Sequence, residues 1–296
     1  MSVSTSSQET IPGAPAGKPP APIWTPTLII RRTQGWGSLG LRDIWEFREL
    51  LYLLTAREIK GRYRQMAFGP LWMIMAPLIQ MVIFSLLFGI LFKLPSDGVP
   101  YPIFTYVALL PWMLFANAAR NAAGSLVNQQ QLIAKIYFPR LIIPLSQVIS
   151  ALVDFAVSFV ILLGMMLVYR MVPDWRVLAL PAYLLLALVT ALAVGLWLAT
   201  LSVKFRDVLI VLGFVISAWQ YATPVAYSAS LVPTQWLWLY NLNPMTVVVE
   251  GFRWALLGTG RAPVPADLAV AGVMVLLMIT GAYYFRRTER TIVDTL

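Results

Sequence analysis

The chain predicts an all-α integral membrane protein, and three observations predict it. Apolar runs long enough to cross a bilayer recur between Pro70 and Phe285. Hydrophobic residues make up 59% of the chain against 12% charged, and the mean hydropathy is +0.74. A soluble domain carries roughly a quarter of its residues charged. Finally, Lys and Arg crowd alternate connections between the runs, which is how a multi-pass protein marks its cytosolic side.

Residues 1–40 read as a disordered cytosolic tail, because the first thirty are rich in Ser, Thr, Pro, Gly and Ala and bury too little apolar area to offset the entropy of ordering. They lack the basic start, apolar core and cleavage site of a signal peptide, so the N-terminus is expected to stay inside. Residues 41–66 change character. At 100° per residue, Leu41, Ile44, Trp45, Tyr52, Ile59 and Tyr63 fall on one arc, and Arg42, Asp43, Glu46, Glu49, Arg57, Lys60 and Arg64 on the other. Arg48 breaks the pattern. The segment is expected to be an amphipathic helix in the headgroup plane, its basic side toward anionic lipid.

Residues 67–296 form the membrane domain. Crossing about 30 Å of hydrocarbon takes some twenty apolar residues, and six runs qualify: 70–92, 101–119, 141–169, 177–203, 208–227 and 268–285. Between the fifth and sixth lie two further apolar stretches, Leu231–Leu242 and Met245–Leu257, split by Asn243 and Pro244. Neither is long enough to cross. They read as two re-entrant half-helices packed in protein, or as a surface loop with short helices.

Seventeen of the 22 Lys and Arg residues fall before the first run, between the second and third, between the fourth and fifth, and after the sixth. That bias places both termini in the cytosol and the half-helix pair on the external face.

The chemistry is as informative for what is missing. With no Cys and no His, disulfides, thiol nucleophiles, Cys/His zinc sites and the commonest general base are all excluded. No GxxxxGK[ST] loop is present to cradle nucleotide phosphates, so the chain is not expected to hydrolyse ATP by itself. The charges border apolar spans rather than forming a nucleic-acid patch. One acid, Asp154, lies deep in an apolar run, where it costs about 2.5 to 3.5 kcal/mol unless paired or hydrated; it reads as a polar contact or a cavity residue. Glu250 and Arg253 are spaced to pair on one helix face. From Ser125 to Arg140, Leu126, Leu132, Ile133, Ile136 and Tyr137 take helical spacings that Pro139 ends. Such a helix either offers a cytosolic partner a docking surface or caps the bundle.

Four motifs appear in order: RELLYLLTAREIKGRYRQMAFGPLW from Arg48 to Trp72, KIYFPRLIIPLS from Lys135 to Ser146, SVKFRDV from Ser202 to Val208, and LNPMTVVVEGFRWALLG from Leu242 to Gly258. Together they strongly resemble the permease subunits of ATP-binding-cassette exporters for lipid-linked polysaccharide, the O-antigen, capsule and teichoic acid group. The resemblance implies a homodimer of six-span subunits in a bacterial inner membrane, joined by two copies of an ATPase subunit. It places the ATPase-docking surface on Arg57, Lys60 and Arg64 and on Asn128, Leu132, Ile133, Ile136 and Arg140. It places the external gate on Trp236, Trp238, Asn243, Pro244, Glu250 and Arg253.

A glycan presents apolar ring faces, so aromatic side chains allow sliding contact in a channel. The candidates are Trp72, Phe84 and Phe88 on the first span, Phe104, Trp112 and Phe115 on the second, and Phe214, Trp219 and Tyr221 on the fifth. Each has packing or interfacial anchoring as its alternative. An exporter of drugs or small lipids would share the fold. An integral membrane glycosyl transferase would need paired acids or a metal site, and an ion-driven carrier would need more intramembrane acids than Asp154.

Overall fold

The computed structural model describes residues 41–64, 71–135, 138–205 and 207–295. The tail 1–40, Ile136, Tyr137, Arg206 and the side chains of Tyr63, Arg64 and Trp72 lie outside what it describes. Among the described residues every regular element is helical.

In chain order the elements are α1 (Leu41–Glu46), α2 (Arg48–Arg64), α3 (Leu71–Phe84) with a π-helical continuation over Ser85–Leu91, α4 (Tyr101–Asn128), α5 (Gln130–Lys135), α6 (Ile142–Val168), α7 (Leu180–Lys204) after a 3₁₀ turn over Trp175–Ala179, α8 (Asp207–Ala222), α9 (Leu237–Asn241), α10 (Pro244–Leu257) and α11 (Pro265–Thr295). Among the described residues, five helical segments are long and apolar enough to cross a membrane: Ile74–Leu91, Tyr101–Asn128, Ile142–Val168, Trp175–Lys204 and Pro265–Thr288.

The fifth run expected from the sequence, 208–227, is shorter than its apolar length suggests. Its helix α8 has 16 residues, about 24 Å at 1.5 Å per residue. Pro224 disfavours helical geometry at Thr223, and the chain turns there. The second run is longer than expected. Arg120 ended the apolar stretch near residue 119, yet α4 continues to Asn128, with the Gln129 N–H closing its last turn on the Ser125 carbonyl.

α4 is the axis of the molecule, buried along most of its length and packed chiefly against α7 and α6. Its sequence explains why. Ala108, Ala116, Ala118, Ala119, Ala122 and Ala123 are all buried on it, and small residues let helix backbones approach closely. Gly195 of α7 meets this surface: a Cβ there would stand 2.6 Å from the Ala122 Cβ.

A second, smaller core sits at the end where α4 gives way to α5. Leu126, Ile133, Phe138, Ile142, Ile143, Leu196 and Phe285 form it, and Ile44, Leu50, Leu51 and Leu54 pack onto it. The expected single amphipathic helix is therefore two, α1 and α2, and its apolar arc is divided. Ile44, Leu50, Leu51 and Leu54 face the body, while Trp45, Tyr52 and Leu53 are exposed.

Candidate functional site

Two segments far apart in sequence come together beside the smaller core. Leu54, Arg57 and Glu58 of α2 face Gln129 and Leu132 around α5 and Ile143, Ser146 and Gln147 at the start of α6, forming a small cleft. Arg57, Lys60 and Asn128 are exposed around it, and Arg140 is half-buried. Of the expected docking residues, Arg57 and Leu132 line this cleft, while Ile136 and the Arg64 side chain lie outside the described residues.

Two of the expected docking residues need correction. Ile133 is buried and Leu132 is packed on the smaller core. Ile133 points into the smaller core, and Leu132 both packs on that core and lines the cleft.

α2 follows α6 as it runs. Its Leu54–Glu58 turn lies by Ile143–Gln147, and one turn later Arg62 reaches the next part of α6. Arg62 Nη1 donates to Asp154 Oδ2 at 2.8 Å and Nη2 donates to Ser150 Oγ at 3.2 Å. Glu58 Oε1 stands 3.6 Å from the same guanidinium. Asp154 was expected to make a polar contact, but its partner was not foreseen. An apolar run carrying one acid, next to a basic helix, was the available signal.

At the opposite end, α10 is held by polar groups from every side. Asn243 caps it, its Oδ1 accepting from Met245 N and Trp219 Nε1, both at 3.0 Å, while its Nδ2 donates to Thr223 Oγ1 at 3.0 Å. Pro244 occupies the first helical position, where a missing N–H costs nothing. Gly251 lets the Tyr183 ring lie against the backbone, where a Cβ would come within 2.2 Å of it.

Glu250 and Arg253 pair as expected, at 3.1 Å, and are buried. Arg253 Nη1 also donates to the Tyr227 carbonyl at 3.2 Å and Nη2 to the Val225 carbonyl at 3.0 Å. The guanidinium lies 3.7 Å from the centre of the Phe104 ring. The other Glu250 oxygen accepts from Arg261 N at 3.1 Å. A buried pair so enclosed is strongly destabilised by losing one member, by about 3 to 5 kcal/mol. Next to it, Tyr240 Oη donates to Tyr227 Oη at 3.2 Å. Burial, helped by that contact, pushes the Tyr240 phenol up from its ordinary range, so it stays a neutral donor.

The stretch 231–242 is not one half-helix. Pro233 divides it into 3₁₀ turns at Ala229–Leu231 and Thr234–Trp236, followed by the five residues of α9. Trp236 and Trp238 are exposed on it, at 53% and 64%.

The channel candidates separate by burial. Phe104 lies beneath Arg253, Trp112 and Phe115 cluster with Trp219, and Phe84 packs into the main core. Phe104, Trp112, Phe115 and Phe84 have almost no surface left to line a channel, because α4 is central and its neighbours cover them. Trp219 and Phe88 are partly covered. Phe214 and Tyr221 are exposed on α8, at 76% and 63%.

Residues 49–257 match the family model described as ABC-2 type transporter. The chain is 31% identical over 255 residues to the O-antigen export system permease protein RfbA of Myxococcus xanthus, an alignment covering 84% of this chain and 96% of that one. It is 28% identical over 206 residues to the O-antigen export system permease protein RfbA of Klebsiella pneumoniae, covering 69% and 79%. It is 24% identical over 243 residues to the polysialic acid transport protein KpsM of Escherichia coli, covering 80% and 92%.

Proposed function

Since the chain belongs to the ABC-2 type transporter family, we propose that it is the membrane permease of a polysaccharide exporter, powered by a separate ATPase subunit. The observation that carries this reading is the near end-to-end alignment with an O-antigen export permease, 96% of which is covered. The chain is a transport subunit, and the phosphate loop that ATP hydrolysis would require is absent from its sequence.

Two copies work as a homodimer with two ATPase copies, which bind the ATP and magnesium. The cargo is a lipid-linked polysaccharide, passed along the interface between permeases in a bacterial inner membrane. The α2–α5 cleft supports the docking part of this reading, because it joins the two segments from which docking was expected. In this arrangement α8, with its following turn, makes the fifth of six crossings, both termini are cytosolic, and the segment from Ala229 to Leu257 lies at the external face. Exposed Phe214 and Tyr221 are the aromatic side chains placed to touch sliding sugar rings. Coupling between nucleotide and channel then runs between two distinct sites.

The chain has no cysteine, so single introduced cysteines report topology without background. An impermeant maleimide applied to whole cells should label Gln235→Cys and spare Lys60→Cys; the reverse pattern ends the proposed direction of transport. A strain lacking the gene should lose surface polysaccharide and hold lipid-linked polysaccharide inside. Normal surface polysaccharide in that strain refutes the cargo assignment.

A further inference from the structure

Arg62 stands between two carboxylates that belong to different elements. Asp154 is on α6, 12 residues beyond Ile142, or about 18 Å along that helix. Glu58 is on α2 itself, one turn before Arg62. The present geometry favours Asp154, at 2.8 Å and reinforced by Ser150, over Glu58 at 3.6 Å. All three side chains of the ion-pair cluster are mostly shielded from solvent: 22% of Arg62, 19% of Asp154 and 28% of Glu58 is exposed.

Glu58 has a second position in the molecule, because it also lines the cleft with Arg57, Gln129 and Gln147. One carboxylate is therefore shared between the cleft and the guanidinium that holds α2 to α6. Anything that engages Glu58 from the cleft changes what Arg62 is offered. Anything that draws Arg62 away from Asp154 returns it to Glu58, so the cation is never left bare in a poorly solvated place.

We propose that Arg62 is a two-position latch: it fastens α2 to the middle of α6 through Asp154 and Ser150, and it releases α2 by transferring to Glu58, so that occupancy of the α2–α5 cleft and the grip of α2 on α6 are energetically linked. The linkage is reciprocal, as any coupling between two sites must be. It deepens the docking reading and rests on it for the identity of the cleft's occupant. The latch itself is a property of this chain alone.

A static structural ion pair and a latch differ in the sign of one substitution. In a static cluster, Glu58→Gln removes a neighbouring favourable charge and loosens α2 or does nothing. In a latch it removes the released position, and α2 should be held more firmly. The measurement is hydrogen–deuterium exchange of the α2 amides in the full chain reconstituted in nanodiscs, with no partner present. Asp154→Asn should speed that exchange about tenfold, the effect of losing one charge-assisted hydrogen bond. Glu58→Gln should slow it about twofold, the scale of a partly exposed pair.

Exchange that speeds up or stays unchanged in Glu58→Gln overturns the latch, as does unchanged exchange in Asp154→Asn. If Asp154→Asn fails to reach the membrane, Ser150→Ala tests the same grip by removing one of its two bonds. Unchanged exchange there also overturns it. Because no ATPase or cargo enters the measurement, its failure leaves the exporter reading standing. If polysaccharide export is normal in a Glu58→Gln strain whose α2 is held more firmly, the link from latch to transport is refuted while the latch survives.

Discussion

Leu231–Leu242 and Pro244–Leu257 are neighbours of similar length and apolar content, and they end in opposite environments. The first is broken into 3₁₀ turns and the short α9, with two tryptophans exposed. The second is one helix buried on nearly every side. The contrast runs against simple hydropathy, since the exposed stretch carries no charge and the buried one carries Glu250 and Arg253. Burial here goes with partners for the charged groups, although Arg253 Nε and Thr246 Oγ1 are buried without a hydrogen bond. Arg253 gathers two carbonyls, a carboxylate and an aromatic face, so its helix is held where the charge is most fully partnered. Exposed Trp236 and Trp238 have no such tie. An element proposed as an external gate thus divides into a buried half and a half with its tryptophans exposed.

Breaking that contrast takes the largest effect first. Arg253→Ala should destabilise the protein by about 3 to 5 kcal/mol, seen as a fall in melting temperature in detergent. A loss under 1 kcal/mol would mean α10 is not anchored by its ion pair. Gly251→Ala should cost about 1 to 3 kcal/mol, the range for overpacking, and a smaller residue in place of Tyr183 should recover part of it in the same melting assay. Asn243→Ala should cost about 1 to 2 kcal/mol through loss of the cap, and a change in tryptophan fluorescence should report the freed Trp219.

The smallest stability effect should come from the exposed half. Trp236→Ala with Trp238→Ala should leave stability within about 0.5 kcal/mol of the parent. If this segment gates the exit, the double variant should still lower polysaccharide export, measured on the cell surface. Together the four variants separate the residues that hold α10 from those that face outward.

Much of this architecture was legible in the residues. Long apolar runs located the crossings, and Asn243–Pro244 marked the start of α10 through ordinary capping chemistry. Other features depended on contacts that periodicity does not carry. Arg62 meets Asp154 across 92 positions, and nothing local to either residue names the other. From Tyr101 to Ala116 α4 is apolar on nearly every side, so Phe104, Trp112 and Phe115 suit a channel wall and the core equally well by sequence. Only the packing of α6, α7 and α10 around α4 decides between them. Leu132 and Ile133 had the spacing of a docking face, yet the same spacing serves a helix pinned inward. Arg120 ends the apolar run but not α4, because a helix does not stop where hydrocarbon does.

The guanidinium of Arg253 has one more consequence. By donating to the Val225 and Tyr227 carbonyls, it fixes the chain where the excursion from Ser228 to Leu242 begins, and the Tyr240 hydroxyl, donating to Tyr227, brings the far part of that excursion back to the same place. A peptide tag or fluorophore spliced in near Gln235 should leave the body intact, which makes this corner a natural handle for watching the protein at work in a living cell.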